Sequence, residues 1–244
     1  MTSVPFEPPR GSDPDTYTES DRCRVGNYGD QARQALLDSA EELFATFGVD
    51  GVSNRRIAEH AGNANHSAVS YHFGGREELV RAMLTRYADE TRRRRGQLVA
   101  MLGPEPSLRD VLSCLVLPFT DQLASMPVPS WRARFLRQLR AVPSMVDVVT
   151  GATVEDAYID DLIKRARVCV AHIPDGVLTG RSWLLGKLVV DACADYEARL
   201  QREAVEPDWT GFARFLVDAA AGMLEAPVTC EGDFLGSRTV SAWP

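Results

Sequence analysis

No apolar run in this 244-residue chain approaches the roughly 18 residues that a bilayer crossing needs, so no membrane partner is expected. The opening segment MTSVPFEPPRGSDPDTYTESD has no cationic start followed by an apolar core, so no secretory leader is expected either. Its Pro, Asp, Ser and Thr content reads as a disordered arm over 1–29. Arg10, Arg22 and Arg24 leave open that part of it reaches a polyanion. The cysteines, Cys23, Cys114, Cys169, Cys193 and Cys230, are scattered, odd in number and never paired as CxxC. That excludes a disulfide framework or zinc site and fits a reducing, cytoplasmic setting. Cys114, Cys169 and Cys193 lie in apolar helical contexts, where a free thiol is packing material.

The sequence also lacks the motifs of catalysis. HExxH, GxSxG, a phosphate-binding loop and a GxGxxG turn inside a βαβ unit are all missing. His60, His66 and His72 recur every six residues, a spacing that scatters them around a helix. Cys169 and His172 read as a packed thiol beside a surface imidazole. Glu155, Asp156, Asp160 and Asp161 read as a solvated acidic face or as partners of Lys164 and Arg165. No catalytic residue, metal or cofactor is expected, and the chain is not read as an enzyme. No strand-like alternation or internal repeat is present, so the expected class is all-α with about nine helices.

What is present is organised around Val52–Phe73, VSNRRIAEHAGNANHSAVSYHF. Ser53 can cap a short helix carrying Ile57, Ala58 and Ala61. Gly62 can close that helix in the left-handed conformation. Asn63-Ala64-Asn65-His66 has turn composition, and Ser67–Phe73 forms a second short helix. This is a helix-turn-helix, whose second helix is the kind presented to a DNA major groove. An amphipathic helix over about 31–47 precedes it, with Ala35, Leu36, Ala40, Leu43, Phe44 and Phe47 on one face. Gly74-Gly75 and a long helix opening Arg76-Glu77-Glu78-Leu79 follow.

In this order and spacing the chain resembles the tetracycline-repressor (TetR) family of bacterial transcription regulators, and an actinobacterial type in particular. Ala40-x-x-Leu43-Phe44, Phe47-Gly48, Val52-Ser53, Ile57-Ala58, Ala61-Gly62, Tyr71-His72-Phe73 and Arg76-Glu77-Glu78-Leu79 carry the resemblance, over about a quarter of the chain. Two departures stand out. The turn after Gly62 is one residue longer than in most members, and Ser70 stands where many carry an aromatic.

The formal charge is −7. It is unevenly spread: residues 31–95 hold ten Arg against nine Asp or Glu, while 1–30 and 96–244 are net acidic. A locally basic head can hold phosphates because screening limits the reach of the acidic remainder to roughly 8–10 Å. The acidic body disfavours nonspecific coating of nucleic acid. Asn65, His66, Ser67 and Ser70 can bond to base edges. Tyr71 and His72, with Arg55 or Arg56, are candidate phosphate contacts, which set register without reading sequence, and Ser53 and Arg76 are further candidate DNA-binding residues. Phe73 reads as core, and Tyr71 as partly core with its hydroxyl free. Arg92–Arg95 read as a solvated end of one helix over 76–95.

Gly103-Pro104-Glu105-Pro106 separates a head (30–95) from a body (96–226), with a flexible tail over 227–244. Body helices are expected at 108–125, 131–141, 153–172, 177–203 and 208–224. The resemblance implies that the body dimerises through its last two long helices, with Leu184, Leu188, Phe212 and Leu216 at the interface. It also implies an apolar effector cavity lined by Leu112, Leu115, Phe119, Trp131, Phe135 and Trp183; a filled core is the alternative reading of the same residues. The implied partners are a double-stranded, palindromic operator, a second copy of the chain and a small, largely apolar effector that releases the repressor. Two other readings stay open: a ligand carrier or enzyme-like helical protein with a vestigial head, and a regulator controlled by a protein partner.

Overall fold

The computed structural model describes residues 19–145, 148, 156–230 and 232, with side chains from residue 29 onward, Ser144 excepted. The expectations for Arg10, Arg22, Arg24, Glu155 and the last twelve residues of the tail therefore lie outside what is described. Among the described residues all regular structure is helical. The head comprises α1 (Glu19–Phe47), α2 (Asn54–His60), α3 (Ala68–Phe73) and α4 (Arg76–Thr85). Then come α5 (Ala88–Ala100), α6 (Leu108–Ala124), α7 (Arg132–Arg140), a 3-10 turn (Pro143–Met145), α8 (Ala157–Cys169), α9 (Asp175–Gln201) and α10 (Trp209–Glu225). No described helix is long and apolar enough to cross a membrane.

Several boundaries follow from local capping. Ser107 opens α6 through a capping box: its hydroxyl accepts from Asp110 N at 3.3 Å while the Asp110 carboxylate accepts from Ser107 N at 2.9 Å. The Ser107 hydroxyl also donates to the Asp110 carboxylate at 2.7 Å, and that bond, followed by the one from Ser107 N, holds the Asp110 carboxyl below its usual range. Asp208 opens α10 by accepting from Gly211 N at 2.8 Å. α1 begins at Glu19 rather than 31; its apolar periodicity, the signal for a helix, starts only where the helix meets the core at Leu36 and Leu37.

The long helix expected over 76–95 is broken at Arg86–Tyr87. The reason is tertiary. Arg132, at the start of α7, donates to Met83 O at 2.7 Å and Leu84 O at 3.3 Å, taking up carbonyls of the last turn of α4. Its guanidinium lies 5.1 Å from the Tyr87 ring. The head boundary expected at Arg95 falls inside α5, and Arg92–Arg95 are not simply a solvated end. Arg95 is buried and ion-paired with buried Asp156, the N-cap of α8. Arg94 pairs with Asp121 of α6 at 2.7 Å. Asp161 pairs with Arg165 at 2.7 Å, as expected.

One continuous core runs from head to body, joined where Phe135 of α7 stacks on Phe44 of α1 at 6.1 Å. α6 packs on α5, α8 and α10, and α7 lies between α1 and α9. Cys114 and Cys193 are buried in this core, and burial pushes the Cys193 thiol up to about 12. Cys169 donates weakly to Pro106 O at 3.6 Å. The last described segment is tied back by Arg181, which donates to Leu224 O, Ala226 O and Pro227 O.

Candidate nucleic-acid interface

Ser53 caps α2 as its position predicts: extended backbone, with Arg56 N donating to Ser53 Oγ at 3.2 Å. Ile57 and Ala58 face inward. The helix closes with Gly62 N donating to Glu59 O and Asn63 N to Ala58 O, a Schellman pair around Gly62 at φ +68°. Two side-chain turns then shape the connection. Asn63 Oδ1 accepts from Asn65 N at 2.9 Å, and Asn65 Oδ1 accepts from Ser67 N at 3.0 Å. The longer turn is thus self-supporting, and it delivers α3 with a fixed face inward. Ala68, Val69 and Phe73 are buried there, while Ser67, Ser70 and Tyr71 face solvent.

Tyr71 is 79% exposed, less core-like than expected, and its ring meets His72 edge-on at 4.9 Å. His66 is exposed, with Nδ1 3.7 Å from Glu59 Oε1. Arg55 Nε donates to that same oxygen at 2.7 Å. The Arg55 bond holds the Glu59 carboxyl below its ordinary range. So the Glu59 carboxylate is paired with its neighbours, and an exposed pair of this kind is weak enough to be exchanged for phosphate. Arg56 lies over the half-exposed Phe47 ring, 4.0 Å from its centroid. Ser53 Oγ, though it accepts the capping bond, still has its hydroxyl proton to donate.

Arg76 does not join this face. Its guanidinium turns inward, donating to Val49 O, to Val52 O at 2.7 Å and to Asn54 Oδ1 at 3.4 Å, and lies 4.8 Å from the Phe44 ring centroid. Burial lowers its pKa. It holds the α1–α2 loop against α4. Asn65 is also partly committed: one lone pair of its Oδ1 serves the Ser67 amide, leaving the side-chain N–H groups outward.

In the body, Leu112, Leu115, Phe119 and Phe135 are buried members of the core, and Trp131 and Trp183 are half-buried. A groove of about 530 Å³ opens between α5, α6 and α10. Arg94, Arg109, Asp121, Arg214 and Asp218 are among the residues lining it, and none of the six expected ones is. Of the expected interface residues, Leu184 and Leu188 are 50% and 37% exposed and Phe212 is half-buried. Leu216 is 0% exposed and belongs to the core of its own chain. Phe215, which the sequence reading passed over, is 64% exposed. It ends a line of rings in which Tyr196 stacks on Phe212 at 4.3 Å and Phe212 on Phe215 at 6.2 Å. A neighbouring buried position with the same helical spacing hid it.

A helix-turn-helix with a polar outward face, seated on a larger all-helical body, is the architecture of a DNA-binding regulator head. Residues 36–83 match the family model of bacterial regulatory proteins, tetR family. It is similar to the HTH-type transcriptional repressor AcnR of Corynebacterium diphtheriae, 30% identical over 122 residues, covering 47% of this chain and 60% of that one. It is also similar to the protein of the same name from Corynebacterium glutamicum, 27% identical over 139 residues, covering 54% of this chain and 70% of that one. The first alignment leaves two-fifths of the relative unmatched.

Proposed function

We propose that this chain is a sequence-specific transcriptional repressor that binds a palindromic double-stranded operator as a homodimer. The observation that carries the reading is the outward face of α3, where Ser67, Ser70 and Tyr71 stand together while Ala68, Val69 and Phe73 anchor the helix. Asn65, His66, Ser67 and Ser70 offer side-chain donors and acceptors to base edges. Ser53, Arg55, Arg56, Tyr71 and His72 hold phosphates and fix register. The name shared by the two corynebacterial relatives supports repression. A face of mixed polar groups flanked by two arginines suits specific binding better than coating of random duplex.

Release by a small effector completes the reading, acting by its differential affinity for two head arrangements. The packed state of Leu112, Leu115, Phe119 and Phe135 favours a second version, a regulator controlled by a protein partner rather than by an apolar ligand. Selection of bound duplexes from a random library tests the core claim. A palindrome with two half-sites about one helical turn apart is the expected product; recovery of no enriched sequence at moderate salt overturns it.

A further inference from the structure

The end of α4 and two buried carboxylates meet at the first turn of α7. Trp131, at its N-cap, makes no side-chain cap bond, so the free amides of the helix start need an acceptor from elsewhere. Glu197 of α9 supplies it, 64 residues downstream. It is 2% exposed and accepts from Ala133 N at 3.2 Å, Arg134 N at 3.1 Å, Arg134 Nε at 3.1 Å and Ser130 Oγ at 2.9 Å. A carboxylate at a helix N-terminus also meets the positive end of its dipole. The same turn reaches the other way. Arg132, 5% exposed, donates to Met83 O and Leu84 O at the end of α4 and to Glu41 Oε1 of α1 at 3.3 Å. One turn of α7 therefore bonds to the body through Glu197 and to the head through Arg132.

These bonds are directional and buried, so α9 cannot shift along or rotate against α7 without straining the seat of the head. Nor is the junction saturated: Arg132 Nε is buried with no hydrogen-bond partner.

We propose that Arg132 and Glu197 are positioning residues that fix the orientation of each head relative to α9, and thereby the half-site spacing that the dimer accepts. The inference rests on the dimeric DNA-binding reading above. It assigns these two residues to register between half-sites, not to contact with DNA.

The test uses the full-length chain and the palindrome recovered by selection, with one or two base pairs inserted or removed between half-sites, and a duplex carrying a single half-site. The wild-type protein should lose at least about tenfold in affinity on altered spacing. Arg132→Met combined with Glu41→Gln removes the head-side bonds without stranding a carboxylate, and Glu197→Gln weakens the body-side cap. Each should bind the single half-site within about threefold of wild type yet lose most of the spacing penalty. Arg132→Lys, which keeps the buried cation but not the fork of donors, should retain an intermediate penalty.

A folded double variant or Glu197→Gln chain, with wild-type melting and the full spacing penalty, overturns the proposal. If the double variant does not fold, Arg132→Lys decides, and a full penalty in that chain overturns it equally. Specific binding by wild type with no spacing preference also overturns it, whereas wild type that selects no sequence at all defeats the DNA-binding reading instead.

Discussion

Asn65 has two tasks, and they separate by substitution. Its Oδ1 holds the Ser67 amide at the start of α3, and its outward N–H groups are free for a base. Asn65→Ala should cost about 1 kcal/mol of fold stability, as a lost cap does, and roughly 1–3 kcal/mol on the operator. Asn65→Asp keeps the acceptor but loses the donors and adds a negative charge; its melting should stay near wild type while operator binding falls further. Wild-type affinity in Asn65→Asp, by anisotropy at one fixed salt concentration, would remove Asn65 from the reading face. Tyr71→Phe should leave melting unchanged, because the ring is almost wholly outside, and weaken operator and scrambled duplex equally. Glu41 behaves differently. Burial raises its carboxyl pKa despite the opposing pull of Arg132 and Arg86. The folded state therefore holds that proton more tightly than the unfolded chain, and stability contributed by protonated Glu41 is lost as pH rises through the folded value. Glu41→Gln should flatten the melting profile above the ordinary carboxylate range; an unchanged slope would place the titration elsewhere. Residues whose role is set by neighbours in sequence were legible: Ser53, Gly62 and Phe73 stand as their spacing implies. The inward bonds of Arg76 were not legible because its partners, Val49 O and Val52 O, lie more than twenty residues upstream and are backbone atoms, which carry no sequence signal.

At the level of the helix, the same division holds. α6 and α10 begin where Ser107 and Asp208 say they should, because a cap is a local bargain between a side chain and an amide three residues on. The break between α4 and α5 was not legible, since the end groups there are satisfied by Arg132 from a distant helix; α7 starts within one residue of its expected position, but its capping acceptor, Glu197, was not legible. By spacing, Arg132, Arg134, Arg137 and Arg140 fall outside the apolar stripe of α7 set by Phe135, Leu136 and Leu139, yet Arg132 is buried and Arg134 pairs with Glu197. Pattern alone cannot distinguish a solvated cation from one that meets a buried acceptor. Gly62→Ala tests the local kind of ending: at φ +68° a Cβ should cost about 1–2 kcal/mol, read as an earlier melting transition. Phe135→Ala tests the tertiary kind. The ring is fully buried against Phe44, so removing it should cost about 3–5 kcal/mol. A cost under about 1 kcal/mol would mean the ring lines a compliant cavity, as an effector pocket requires, and would revive the apolar-ligand reading at that position.

For the whole molecule the question is what covers the outer ridge of α9 and α10. Large apolar side chains left exposed together mark interaction surfaces more often than they mark waste. Leu184 and Leu188 lie one turn apart on α9 and are both exposed, and the ring line from Tyr196 of α9 through Phe212 ends at exposed Phe215 of α10. A second copy, packed about a two-fold axis, covers such a ridge with its own equivalent. Stable pairing needs roughly 1,200–2,000 Å² buried in total, more than three side chains provide, so neighbouring positions on both helices must also be covered. Leu184→Glu with Leu188→Glu, and separately Phe215→Glu, place charge where solvent already reaches in the single chain. Each should leave the protomer folded and shift sedimentation at micromolar concentration from dimer to monomer. With the two heads no longer linked, affinity for the full palindrome should fall by about 10²–10⁴, while binding to one half-site changes little. Leu216→Ala serves as the contrast. That side chain is enclosed in its own core, so the variant should lose about 2–5 kcal/mol of stability yet still sediment as a dimer while folded. If the Leu184–Leu188 double variant sediments as a dimer with wild-type affinity for the palindrome, the pairing surface lies elsewhere on the body.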